Sequence, residues 1–381
     1  MKRLKVHLFV CVVGAVLIPL LLAPTVAQAA AWTVVSSPNP GAGNGLFGVA
    51  SISANDVWAV GNFSNIGSLE QTLTLHWNGK KWSHIKSPNV SSQDSELMAV
   101  AAVSPTDVWA VGDSHTTSFQ TLTQHWDGHK WSVVSSPNPG AQFNELFGVA
   151  AVSTTDVWAV GSFAPQGFSP SQTLIEHWNG TTWSVVASPN VGTQLNGLNG
   201  VTAVSTSDIW AVGQFNNGTG QQTLIEHWNG TSWSVVSSPN VSGASNELLA
   251  VAAVSPTDVW AVGDSNTSGS EQTLIEHWNG TSWSIVSSPN PGAGGLNGVA
   301  IISATDIWAV GAFFNTTNNV TQTLIEQWNG TSWSVVTSPN PSSTTNLLEA
   351  AAADKSSGQA WAVGEFTAAS GATQTLTEFN P

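Results

Sequence analysis

Histidine recurs at one place in a repeated pattern: His76, His125, His177, His227 and His277 each precede a tryptophan, and Gln327 takes the sixth place. Imidazole is a common metal ligand and general base, but ligands must converge to about 2.0–2.1 Å from one ion. Equivalent positions of successive repeats project from different units and do not converge. The same argument makes scaffold of the recurring acids Glu176, Glu226, Glu276, Glu326 and Glu378, and of Asp56, Asp107, Asp156, Asp208, Asp258 and Asp306. These aspartates precede an apolar segment and are expected to hydrogen-bond the adjoining turn. Individual chemistry must lie outside the repeat. Asp113 and Asp264 directly follow a repeated glycine, where other units carry Asn62, Ser162, Gln214, Ala312 and Glu365. Carboxylates there suit calcium, with Asp113 and Asp264 the candidate ligands and Glu365 a third member; solvated loop acids are the competing reading. Asp113 with His115 is the one nearby acid–imidazole pair for a hydrolase or lyase. No other cofactor is expected.

These residues hang on a repeat. Asp-Val/Ile-Trp-Ala-Val-Gly places its tryptophan at 58, 109, 158, 210, 260 and 308, and a variant copy places Trp361. Successive spacings are 51, 49, 52, 50, 48 and 53 residues. Each unit reads as an Ala/Val-rich segment, a Ser-x-Thr-Asp turn, the Val-Trp-Ala-Val-Gly run, a variable loop, Gln-Thr-Leu-Ile-Glu-His-Trp, an Asn-Gly turn, and Trp-Ser-Val-Val-Ser-Ser-Pro-Asn. Short segments rich in Val, Ile, Thr and Trp between turn residues are strands. Asn229-Gly230 between apolar runs predicts a tight two-residue hairpin with both residues at φ > 0. Four strands in about fifty residues is the period of a β-propeller.

The seventh unit stops at Gln374–Phe379, before its fourth strand, while Trp32-Thr33-Val34-Val35-Ser36-Ser37-Pro38-Asn39 matches the fourth strand of other units, such as Trp233–Asn240. The expectation is an all-β, seven-bladed propeller with four antiparallel strands per blade, closed by the N-terminal strand pairing into the last blade. An open solenoid needs polar capping repeats, and neither end supplies one. With this pattern in view, the repeat resembles the kelch family over the whole chain after the leader, through Val259-Trp260-Ala261-Val262-Gly263 and the later strand–turn unit ending at Trp283. Kelch repeats carry a Gly-Gly pair and usually a tyrosine; here there is one glycine and no tyrosine. The resemblance implies the fold and leaves the function open.

Residues 1–29 read as a signal peptide: Lys2, Arg3 and Lys5, an apolar run from about Leu8 to Ala23, then Ala27-Gln28-Ala29. An uncleaved anchor is the alternative, and both export a single domain over 30–381, to be secreted or held at the cell surface. Cleavage removes Cys11, the sole cysteine, and leaves five lysines and no arginine against 23 acids. Nucleic acid is excluded as a natural ligand, because phosphate backbones are held by Lys and Arg. A galactose-oxidase-like copper site and a sialidase-like site are excluded by the missing Tyr, Cys and Arg. The chain is expected to be a monomer with no membrane contact once cleaved.

The Ser-x-Thr-Asp and Asn-Gly turns hardly change length, whereas the second-to-third and fourth-to-next-first connections vary. In an up-and-down blade both variable connections emerge on one face, where loops on a rigid scaffold carry binding. Aromatic residues collect there: Phe63, Phe119, Phe143, Phe163, Phe168, Phe215, Phe313, Phe314 and Phe366. Packing under the loops is one reading; a surface for glycan or peptide is the other, with Phe168 and Phe314 breaking the repeat and standing out as ligand contacts. The leading expectation is a secreted, non-catalytic binding module for an extracellular carbohydrate or protein, contacted through Phe168, Phe314, Asp113, His115, Asp264 and Glu365. The alternatives are a structural surface protein without a small ligand, or a propeller hydrolase or lyase.

Overall fold

The structure, a computed structural model, describes residues 31–90, 93–167 and 170–381. The leader and Phe168 lie outside the described residues. Seven four-stranded antiparallel sheets follow one another in chain order, blades 1 to 6 spanning 43–84, 94–134, 143–185, 195–235, 245–285 and 293–335. Blade 5 is representative: Ser245–Ser255, Asp258–Thr267, Ser270–Trp278 and Trp283–Ile285. The first strands of all seven blades line a central cavity of about 210 Å³, so they are innermost and the fourth strands outermost. Blade 7 (346–380) takes its fourth strand from the other end of the chain, with Thr33 opposite Phe379 and Val34 opposite Glu378. The ring is closed as the repeat arithmetic requires. No helix occurs among the described residues, and none is long and apolar enough to cross a membrane.

The core lies between blades. Trp260 of blade 5 is 3% exposed and meets Trp328 and Trp333 of blade 6 at 5.0 and 5.6 Å, the latter edge to face. On its other side it stacks on His277 at 4.2 Å. The small Ala261 that follows is fully buried toward the opposite neighbour, so large and small side chains interlock around the ring. Trp260→Ala is expected to cost roughly 3–5 kcal/mol. A melting shift below about one degree contradicts this, since even a large domain moves by several degrees for such a change.

Two local expectations are corrected. The Asn-Gly turn is a four-residue loop: Trp228 pairs with Trp233, the Asn229 amide donates to the Ser232 carbonyl at 3.3 Å, and Asn229 Oδ1 accepts from Thr231 N and Ser232 N at 2.9 and 3.0 Å. Only Gly230 needs positive φ, at 91°; the asparagine side chain, by capping the loop, replaces the second strained residue. The recurring aspartates bind histidine across the sheet. His277 Nε2 donates to Asp258 Oδ1 at 2.9 Å, as does Trp260 Nε1 at 2.8 Å. The same His–Asp pair recurs in blades 1 to 5 at 2.8–2.9 Å. In blade 6 Gln327 donates to Asp306 at 3.0 Å, and in blade 7 both partners are replaced, by Gln359 and Phe379, the phenyl ring lying tilted against Trp361 at 4.7 Å.

Candidate functional site

The innermost strand of each blade begins on the variable-loop face, and the second strand ends there, so two positions lie side by side at the mouth of the channel. One is the residue before the buried inner-strand leucine (Gly45, Glu96, Glu145, Gly197, Glu247, Gly295, Leu347); the other follows the second-strand glycine. Registers set Glu96 opposite Asp113, Glu247 opposite Asp264 and Leu347 opposite Glu365. The glycine between is required by close approach: a Cβ on Gly112 would sit 2.2 Å from the Glu96 carbonyl oxygen. Backbone contact of this kind holds the two acids of a blade together.

Side chains then reach between blades. Asn62 Nδ2 of blade 1 donates to Glu70 Oε2 at 3.1 Å and to Glu96 Oε2 of blade 2 at 3.3 Å. Asp113 is 3% exposed, and its Oδ2 accepts from His115 Nδ1 at 3.0 Å. The His115 ring is stacked on Phe119 at 4.3 Å, and Phe119 meets Phe143 of blade 3 at 5.9 Å. Glu96, Asp113 and His115 each offer a ligand atom within 4.8 Å of the others. A second cluster joins blades 4 and 5: Gln221 donates to Glu247 at 2.9 Å, and Asp264 shares a hydrogen bond with Glu247. A third joins blades 6, 7 and 1: Asn297 donates to Glu349 at 3.1 Å, and Glu365 occupies the space a side chain at Gly45 would need.

Burial, first, and like charge, second, favour the neutral acids. Glu96 is pushed up to about 7 by burial and by Asp113 and Glu70, and Glu145 to about 7 by burial and by Asp113 and Glu96. Asp264 rises to about 7 through burial, Glu247 and Glu271, and Glu349 to about 7 through burial and Glu365. Burial also raises Asp113, opposed by His115, and Glu365. None of the five lysines among the described residues relieves this. Lys80, Lys81, Lys130 and Lys355 sit in turns on the opposite face, and Lys86 follows an outermost strand. The mouth is therefore a one-signed site, suited to cations.

Of the residues singled out in the sequence, Asp113 and His115 are brought together, while Asp264 and Glu365 belong to separate clusters in blades 5 and 7. Asp113 and Asp264 do not share a site, so they are not joint ligands of one calcium ion. Phe314 is 38% exposed on the second strand of blade 6. Phe63, Phe163, Phe215, Phe313 and Phe366 pack against the inter-blade cores, which is the packing role. Glu96, Glu145, Glu247 and Glu349 were not legible as site residues. For Glu96, Glu145 and Glu247 the signal was the position before the inner-strand leucine, which changes from Gly to Glu between otherwise like units; Glu349 instead follows Leu348, where the other units carry Phe, Met, Asn or Leu.

The loops on this face are fixed from below. Asn144, 1% exposed, accepts from Gly140 N at 2.6 Å and donates to the Gly140 and Phe119 carbonyls at 3.0 and 3.1 Å. Asn44, Asn196, Asn246 and Asn346 make the matching clamps. Such clamps hold the mouth without ligand, which reduces the ordering cost of binding.

No family model matches the chain, and no curated protein matches it. Solved structures do share the fold. YCF48 bound to D1 peptide is 15% identical with a TM-score of 0.55, covering 93% of this chain and all of that one (100%). The extracellular domain of the putative one component system BT4673 from B. thetaiotaomicron is 10% identical with a TM-score of 0.56, over 93% of this chain and 40% of that one. The protein is thus a seven-bladed β-propeller by fold.

Proposed function

We propose that this protein is an exported, non-catalytic binding module of kelch-like repeats whose variable-loop face takes a Lys- or Arg-bearing segment of an extracellular protein. The observation that carries this reading is the segregation of charge: partly buried carboxylates converge on one mouth of the channel while the lysines of the described residues lie elsewhere. A cationic side chain entering the mouth relieves repulsion already present, and charge complementarity of this kind sets partner choice and on-rate. A neutral glycan gains no such term, which favours protein over carbohydrate as the ligand. YCF48, which shares the fold, is bound to D1 peptide. Export rests on the leader at residues 1–29.

The test is fluorescence anisotropy of residues 30–381 with labelled Lys/Arg-rich, neutral and acidic peptides at low and moderate salt. Only the basic peptide is expected to bind, with affinity falling as salt rises. Asp264→Asn combined with Glu247→Gln should weaken binding roughly tenfold, as loss of a partly desolvated charge contact does. Thr231→Ala on the opposite face should not. Equal binding of the three peptides, or a glycan hit that depends on Phe314 instead, rejects the proposal.

A further inference from the structure

Blade 2 departs from the other six in one respect: it sets an imidazole among carboxylates. The position three residues after the second-strand glycine is His115 here and Ser64, Ala164, Asn216, Asn266, Phe314 or Thr367 elsewhere. We propose that Glu96, Asp113 and His115, the blade 2 part of the mouth, bind one divalent transition-metal cation of the Zn²⁺ or Mn²⁺ class.

Three observations carry it. The ligand atoms lie within 4.8 Å of one another, while two ligands on one such ion are at most about 4.2 Å apart at bond lengths near 2.1 Å. Small side-chain rotations close the set. The Asp113 carboxylate is nearly fully buried, and its one hydrogen-bond partner among the described residues is His115, another member of the set. Its second oxygen takes no hydrogen bond from the described residues and is free to take a cation. Finally, the surroundings orient the ligands as second-layer groups do in metal centres: Phe119 holds the His115 ring by stacking and Asn62 holds Glu96 by a hydrogen bond.

The donor set selects the metal. Two carboxylates with one imidazole suit Zn²⁺ or Mn²⁺, whereas calcium favours an all-oxygen shell. Glu145 of blade 3 and Glu70 of the preceding loop add negative charge beside the set. Every ligand must shed its proton to bind, so affinity falls with acidification.

The test is calorimetric titration of chelator-stripped 30–381 with Zn²⁺, Mn²⁺ and Ca²⁺ in separate runs, at pH 7.5 and pH 5.5. One equivalent of Zn²⁺ or Mn²⁺ is expected at pH 7.5, weakened by roughly tenfold or more at pH 5.5 and in each of His115→Asn and Glu96→Gln. His115→Asn lies at a half-exposed site and should keep the parent's circular dichroism and melting temperature without metal, so that a loss of binding reads as loss of a ligand. Asp264→Asn should bind the metal like the parent, which separates this site from the peptide reading. Absence of Zn²⁺ and Mn²⁺ heat, or calcium-only binding unchanged in His115→Asn, overturns the proposal.

Discussion

Deleting residues 31–39 is expected to lower the stability of the propeller more than any single tryptophan truncation, and adding the same nine residues after Pro381 is expected to restore it. The strand does several jobs at once. Trp32, 3% exposed, packs edge to face on Trp308 of blade 6 at 5.3 Å and joins Val310, Ile325 and Leu348 in one core cluster. Val35 N donates to the Thr377 carbonyl at 2.9 Å, Thr375 N donates to Asn39 Oδ1 at 2.8 Å, and the Ser37 and Thr375 hydroxyls lie 2.7 Å apart. Without these, blade 7 exposes an unpaired edge, the kind of edge that β-proteins otherwise protect. Loss of the Trp32 side chain alone should cost roughly 3–5 kcal/mol, and the deletion adds the strand's hydrogen bonds to that. Thermal melting and limited proteolysis provide the measurement. A deletion variant melting within about two degrees of the parent, or a C-terminal copy that fails to restore stability, refutes the closure account.

Stability is expected to fall as the pH rises from about 5 to about 9, because of the buried glutamates of the third strands. Glu176, Glu226, Glu276, Glu326 and Glu378 are fully buried, and neither carboxylate oxygen of any of them makes a hydrogen bond among the described residues. Burial pushes each of them up to about 8. Blade 2 shows what the position wants: Gln124, equally buried, donates its amide to the Pro88 carbonyl of the preceding blade at 2.9 Å. A protonated glutamic acid has an O–H for that role; a carboxylate has none. Because the folded-state value lies above the unfolded one, near 4.5, the folded state binds the extra protons. The stabilisation is complete below about pH 4.5 and is lost as pH climbs to about 8, at about 1.4 kcal/mol per unit for each group. The mouth carboxylates near 7 act in the same direction.

Glu276→Gln should therefore raise the melting temperature at pH 9 by several degrees, as removing a buried unpaired charge does, and change it little at pH 5. Glu276→Ala should lower it at both. A melting temperature that is flat or rising from pH 5 to 9, or a Gln variant with the same shift at both pH values, contradicts the assignment.

Much of this was legible in the chain itself. Repeat length, strand count and the fourth strand displaced to the N-terminus together specify a closed seven-bladed ring, because an unfinished sheet and a matching orphan strand have one economical solution. Which loops vary, and that they share a face, also follows from strand order. The acids recurring at fixed positions read correctly as scaffold, although the Asp–His pairing was hidden: its partners lie about twenty residues apart, and the local turn offered a nearer explanation. The repeat does contain that clue, since Asp and His disappear together in blade 7.

The candidate site was only half visible. Asp113 and His115 are two residues apart, so a strand's alternation alone places them on one side. Glu96 and Glu145 join them through the antiparallel register within blade 2 and the packing of blade 2 on blade 3, and neither relation is local in sequence. Tertiary structure likewise separated Asp113 from Asp264, which stand at the same repeat position but three blades apart around the ring. Periodicity determines what each residue is equivalent to; contact between blades decides what it touches, and the charge at the mouth of the channel arises from those contacts.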